Sequence, residues 1–169
     1  MSRRDFSSSR IERISHWALI SSLFILLFTN CGLLFSSLLF IRHLFWSSQN
    51  ASTIHHVTGM FFSLSLLVSF FIWIKDCIPD GEDLEWLRRG GPFSWVAAPF
   101  GRGKFNTIQK LYFFGTMLFG IMAASSGILL WNPYLFKREL IAWGHVFHTF
   151  SATFFTASGI IHIYLRHFR

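Results

Sequence analysis

Apolar residues gather into four long runs, at about residues 14–35, 54–75, 108–131 and 140–165, separated by stretches rich in charge, glycine and proline. A helix rises about 1.5 Å per residue and a bilayer's hydrocarbon core is about 30 Å thick, so each run is long enough to cross it. The first run stays apolar through Phe40 and is either long or tilted. The pattern predicts an all-α protein, a four-helix transmembrane bundle formed by residues 1–169 as one domain. The first run is too long for a cleaved signal and carries His16 near its start, so it reads as a retained helix.

The interruptions have their own character. Residues 1–13 are polar and basic, with Arg3, Arg4, Arg10 and Arg13 forming an anchor before the first span. The connection at 36–53 holds Arg42 and then Leu44, Phe45 and Trp46, which suits an aromatic-anchored segment in the headgroup layer, and Ser47 to Thr53 lead back into the membrane. From Asp76 to Lys104 runs the longest polar segment. Pro79, Asp80 and Gly81 predict a turn, Glu82 to Arg89 a short amphipathic helix, and Gly90, Gly91 and Pro92 its end, before an interfacial cluster of Phe93, Trp95 and Phe100. Asn132, Pro133, Lys137 and Arg138 make the last connection.

Composition agrees with a membrane solvent: 52% of the 169 residues are apolar, including 22 Phe and 7 Trp, against eight acids. Lys and Arg number four before the first span, one before the second, six from Lys75 to Lys110, two before the fourth span and two at the C-terminus. That is twelve against three, which by the positive-inside rule puts both termini and the middle loop in the cytoplasm. The net charge of +7 then reflects topology and contact with anionic lipid, and no nucleic-acid footprint is expected. Cys31 and Cys77 fall at opposite membrane depths, so no bridge between them is expected, and no CxxCH, CxxC or zinc spacing occurs.

Chemistry enters through the histidines. His148 and His162 are fourteen residues apart, about 40° short of four helical turns, so they share a side of the last helix about 21 Å apart along its axis. His16 opens the first span and His55 and His56 the second. Ionisable groups in spans are costly and need partners. Two lie near the inner surface (His16, His162) and two near the outer (His55, His148), the arrangement that bis-imidazole ligation of two b haems requires. Small residues accompany three of them, each on its histidine's face: Gly59 four after His55, Gly144 four before His148 and Gly159 three before His162, a placement that favours room for a flat porphyrin. His145 competes with His148 on angle. His43 and His167 fall in headgroup regions and are read as solvated.

The run Arg10 to Trp17 (RIERISHW), the run Gly103 to Lys110 (GKFNTIQK), His55 with Gly59 and the His148–His162 spacing together resemble the cytochrome b (gamma) subunit of membrane-bound formate dehydrogenase, a four-helix di-haem cytochrome b. The resemblance runs from Arg10 to Tyr164. It implies one integral-membrane di-haem domain in the bacterial inner membrane, with an outer haem held by His55 and His148 and an inner haem held by His16 and His162. It also implies a quinone-site loop at Asn106 to Gln109. The implied partners are an iron–sulfur (beta) subunit and, through it, a molybdenum or tungsten catalytic subunit; the chain has no ligands for substrate oxidation of its own. Two departures stand out: His56 occupies a position where the family often has Pro, which leaves His55 and His56 as alternatives, and the sequence ends at Arg169 where the family usually continues into a tail.

Two other readings compete. The chain could serve a hydrogenase or thiosulfate reductase, or act as a stand-alone cytochrome b561-type quinone oxidoreductase. In a different class, it could be a haem-free anchor whose histidines hydrogen-bond across helices. A reduced-minus-oxidised absorption spectrum separates the second class from the first.

Overall fold

In the computed structural model, the described residues are 9–34, 47–93 and 104–167. Among them are five α-helices and no strand: α1 Arg10–Leu34, α2 Ser48–Cys77, α3 Gly81–Arg88, α4 Thr107–Trp131 and α5 Arg138–His167, with short 3-10 turns at Gly91–Phe93 and Pro133–Leu135. The long helices fall on the four apolar runs. Three of them, α1, α2 and α4, are long and apolar enough to cross a membrane. The fourth, α5, matches α2 in length but is diluted by Arg138, Glu139, four histidines and a series of Ser and Thr. The aromatic segment Leu44–Trp46, and Trp95 and Phe100 of the interfacial cluster, lie outside the described residues, as do Arg3, Arg4 and His43.

One boundary differs from expectation. Ser47 to Thr53, read as a linker, is the start of α2: Ser47 is the N-cap and its side chain accepts from the Asn50 backbone N–H. A favoured cap outweighs the polar composition that suggested a loop.

Small polar residues share the interior with Phe62, Leu66, Phe113 and Phe155, while most large apolar side chains cover the exterior. On α1 the buried positions Ser15, Ser22 and Thr29 recur every seven residues, and on α5 Gly144, Ser151 and Ser158 do the same. Phe24, Leu64, Phe71, Leu118, Ile121 and Phe150 face outward. This follows from the solvent: lipid tails are as apolar as Leu, so close packing of small side chains, rather than burial of large ones, brings membrane helices together. Most of these Ser and Thr satisfy their hydroxyls on the carbonyl four residues earlier, as Ser22 does on Ala18 at 2.7 Å, so burying them costs little. Ser15 and Ser69 also bond each other across α1 and α2 at 2.6 Å.

α1 lies along α2, α4 along α5, and α2 against α4 joins the two pairs; α1 and α5 touch at few points, and α2 and α5 at fewer. Glycine permits the tight crossings: a Cβ on Gly120 would overlap the Leu66 side chain, and one on Gly144 would stand 2.6 Å from a Leu129 methyl carbon. Gly144, read from sequence as room for a flat cofactor, instead lets α4 and α5 close up.

The polar segment between α2 and α4 docks by a buried ion pair. Asp80 caps α3 by accepting from the Glu82 and Asp83 backbone N–H groups, each at 3.1 Å, and the Asp80 backbone N–H donates to Asp83 Oδ2 at 2.8 Å. Asp83, itself fully buried, also accepts from Lys110 Nζ at 2.5 Å and from the Thr107 hydroxyl. Burial alone would push the Asp83 carboxyl up. The hydrogen bonds from Lys110, Thr107 and the Asp80 backbone, with the Lys110 charge, outweigh it and hold the group below the ordinary carboxylate range. Gly90 and Gly91 end the helix with φ of 104° and 50°, a left-handed turn that side-chain-bearing residues rarely adopt. A second tie, Lys104 Nζ to Glu12 Oε2 at 2.7 Å, joins the approach to α4 to the start of α1.

Candidate functional site

Where α5 stands off from α1 and α2, two cavities open, one toward each end of the bundle. The first, about 350 Å³, is lined by Asn30 of α1, His55 and Gly59 of α2, Gly127 and Trp131 of α4 and His148 of α5. The second, about 390 Å³, is lined by His16 of α1, Cys77 of α2, Gln109 and Thr116 of α4 and Gly159 and His162 of α5. Both fall within the ~300–1,000 Å³ usual for cofactor and ligand sites. Leu23, Phe62 and Phe155 line both cavities and so form the wall between them. Phe62 and Phe155 meet edge to face with ring centres 5.3 Å apart.

Each cavity is flanked by a pair of imidazoles. His55 and His148 have ring centres 6.2 Å apart and planes at 63°. His16 and His162 are 6.0 Å apart at 61°. A metal–imidazole bond is about 2 Å long. Two such bonds in line, each with the distance from ring nitrogen to ring centre added, put the centres about 6 Å apart. Both pairs have the separation that a single six-coordinate iron between them needs.

The protonation of the first pair follows from its neighbours. Thr29 Oγ1 is 2.9 Å from His55 Nδ1, and Ser126 Oγ is 3.1 Å from His148 Nδ1, which also lies 3.2 Å from the Ala123 carbonyl. The Thr29 hydroxyl already donates to the Ile25 and Leu26 carbonyls at 2.9 and 3.0 Å, and Ser126 to Met122 at 2.6 Å. Each hydroxyl oxygen is therefore the acceptor, Nδ1 carries the hydrogen, and Nε2 of each ring keeps its lone pair.

The room between the rings suits a flat group. A Cβ on Gly127 would come within 3.4 Å of the His148 ring, and one on Gly159 would stand in open space within the second cavity. The Thr116 hydroxyl, lining that cavity, is buried without a hydrogen-bond partner. Paired imidazoles and glycine-walled apolar slots in both cavities, with an orphaned hydroxyl in the second, fit b-type haem.

Residues 7–168 match the family described as Prokaryotic cytochrome b561. The chain belongs to that family. Membership makes it a membrane cytochrome b with an electron-transfer role, carrying haem b. It is 24% identical over 156 residues to the formate dehydrogenase cytochrome b556(fdo) subunit of Escherichia coli K12, covering 90% of this chain and 74% of that one. The nitrate-inducible formate dehydrogenase cytochrome b556(Fdn) subunit of the same strain is 23% identical over 163 residues, covering 92% and 74%. The formate dehydrogenase cytochrome b556 subunit of Haemophilus influenzae is 25% identical over 162 residues, covering 90% and 66%.

Of the two competing histidines in this cytochrome b, His56 lines the same cavity as His55 and His145 does not. His56 stacks on Trp131 with ring centres 4.7 Å apart and planes at 16°, while its neighbour His55 faces His148. His145 is exposed on α5, whereas His148 is half-buried against α4. Asn106 and Gln109 form a reciprocal cap at the start of α4. The Asn106 side chain accepts from the Gln109 backbone N–H, and Gln109 Oε1 from the Asn106 backbone N–H, both at 2.9 Å. Only Gln109 of the two lines the His16–His162 cavity. The neighbouring cations Lys104 and Lys110 are engaged by Glu12 and by Asp83 with Asp80.

Thr29, Ser126 and Thr116 were not singled out from sequence. A signal existed for the first, since Thr29 closes the Ser15, Ser22, Thr29 heptad, but which helix that stripe faces depends on packing.

Proposed function

We propose that this chain is the membrane anchor and electron-transfer subunit of a formate dehydrogenase complex, with four membrane-crossing helices, both termini cytoplasmic, and two b haems. The observation that carries the proposal is the pair of facing imidazoles at each end of the bundle, at the separation one iron needs. His55 and His148 hold the haem nearer the outer surface, and His16 and His162 the one nearer the cytoplasm. When bound, the haems supply one-electron carriage between an iron–sulfur subunit outside, with its molybdenum or tungsten partner, and quinone on the cytoplasmic side. Formate is the substrate named for all three relatives, which is why this assignment is preferred to the hydrogenase and thiosulfate reductase alternatives.

The chain's own residues do the rest. α5 bridges both centres because it carries a histidine for each. Phe62 and Phe155 keep the two sites apart and dry between them. Quinone binds at the start of α4, where the cap commits the Asn106 and Gln109 oxygens and leaves their amide N–H groups as donors to quinone carbonyl oxygens. This predicts a clean separation of roles. Gln109→Glu and Asn106→Asp keep the capping oxygens but remove those donors. Both leave the haem spectra unchanged, and both slow reoxidation of the reduced haems by added quinone, Gln109→Glu about tenfold or more because Gln109 lines the cavity, Asn106→Asp less. Stopped-flow absorbance on the purified complex reads this directly. Wild-type reoxidation in both variants moves the quinone site elsewhere.

A further inference from the structure

We propose that Thr29 and Ser126 are positioning residues that set the reduction potential of the haem held between His55 and His148. The inference rests on the reading that these two histidines are its ligands. Each of them donates its Nδ1 hydrogen to a hydroxyl oxygen on a different helix, Thr29 on α1 and Ser126 on α4, at 2.9 and 3.1 Å. Neither hydroxyl is adventitious. Thr29 is fully buried and Ser126 nearly so. Both are locked in orientation by their own bonds to carbonyls one turn back, so each presents a fixed lone pair to the imidazole.

An imidazole whose N–H is drawn toward an acceptor becomes a stronger donor at its other nitrogen. A stronger donor stabilises ferric over ferrous iron and lowers the potential. Both axial ligands are treated alike, so the effects act in the same direction. The arrangement also gives α1 a part in both centres: His16 at its start is a ligand of one, and Thr29, thirteen residues on, supports a ligand of the other. The Ser126 contribution is the smaller, because the Ala123 carbonyl, 3.2 Å from His148 Nδ1, remains as an acceptor when the hydroxyl is removed.

The test is potentiometric titration of the haem-loaded complex, followed in the haem absorption bands, for wild type, Thr29→Val, Thr29→Ser and Ser126→Ala. Thr29→Val keeps the shape and removes the hydroxyl. It raises the potential of one haem alone, favouring its reduction about tenfold, which is ~59 mV for a one-electron couple. Thr29→Ser stays near wild type, Ser126→Ala moves the same way by less, and the second haem does not change. If Thr29→Val loses that haem while Thr29→Ser keeps it, the hydroxyl is needed to hold the ligand, and the potential of that haem in Ser126→Ala then decides the inference: a rise supports it and an unchanged value overturns it. An unchanged potential in Thr29→Val, or equal effects of Val and Ser, overturns the inference while leaving the ligands in place. If His148→Ala does not remove the haem whose potential shifts, the ligand reading fails, and the inference with it.

Discussion

His148→Ala loses one haem and keeps the other, and His162→Ala does the reverse. Each α5 histidine faces a different partner across a different cavity, His55 at 6.2 Å and His16 at 6.0 Å, and Leu23, Phe62 and Phe155 separate the two. Removing one imidazole leaves an iron with an open axial position in an apolar slot, and a non-covalent haem is then retained poorly. The haem-to-protein ratio falls by about half in each variant, and His148→Ala with His162→Ala together leave none. His145→Ala and His56→Ala keep full haem content, because His145 is exposed and His56 lies against Trp131. A pyridine haemochrome assay on purified variants checks all of these. Full haem in His148→Ala would move the ligand to His145, one turn away.

Lys110→Met destabilises the end of the bundle where α3 meets α4 by about 3–5 kcal/mol, the range for stripping the partner from a buried charge. Lys110 and Asp83 are both almost wholly buried, and the pair ties α3 to the first turn of α4, where Gln109 sits. The double variant Asp83→Asn/Lys110→Met recovers part of the loss, since no unpaired charge remains. Hydrogen exchange of residues 81–88 reports the docking. Acid acts through the same pair. The Asp83 carboxyl titrates below its ordinary value, so the ionised group's stabilisation is fully present above about pH 4 and is lost as pH falls through the lower folded value. The protection factors of α3 amides, which correct for the pH dependence of intrinsic exchange, therefore hold at neutral pH and fall only below about pH 4. Equal protection in wild type and Lys110→Met would show that α3 docks by other contacts.

Those two results draw on different amounts of sequence information. The long helices were legible because hydropathy over twenty residues is a bulk property, and the α5 histidines because a fourteen-residue spacing fixes angle and depth on one rigid rod. Which of His55 and His56 faces inward was not legible, since adjacent residues point about 100° apart and helix rotation is decided by packing. The Asp83–Lys110 pair was hidden for a similar reason. Its members are 27 residues apart, and Asp83 looked like the polar face of a surface helix until α3 was placed against α4. Asn106 and Gln109 were legible as a pair, and Asn106 as a favoured N-cap, but the return bond from the Asn106 backbone N–H to Gln109 Oε1 emerged only with the structure.

The central claim is tested most directly by the haem stoichiometry of the intact protein, measured by reduced-minus-oxidised spectra and acid-acetone extraction against quantified polypeptide. The account predicts two extractable b haems per chain, both low-spin because both axial positions are filled by imidazole. One haem, none, or a high-spin species in intact protein would contradict it.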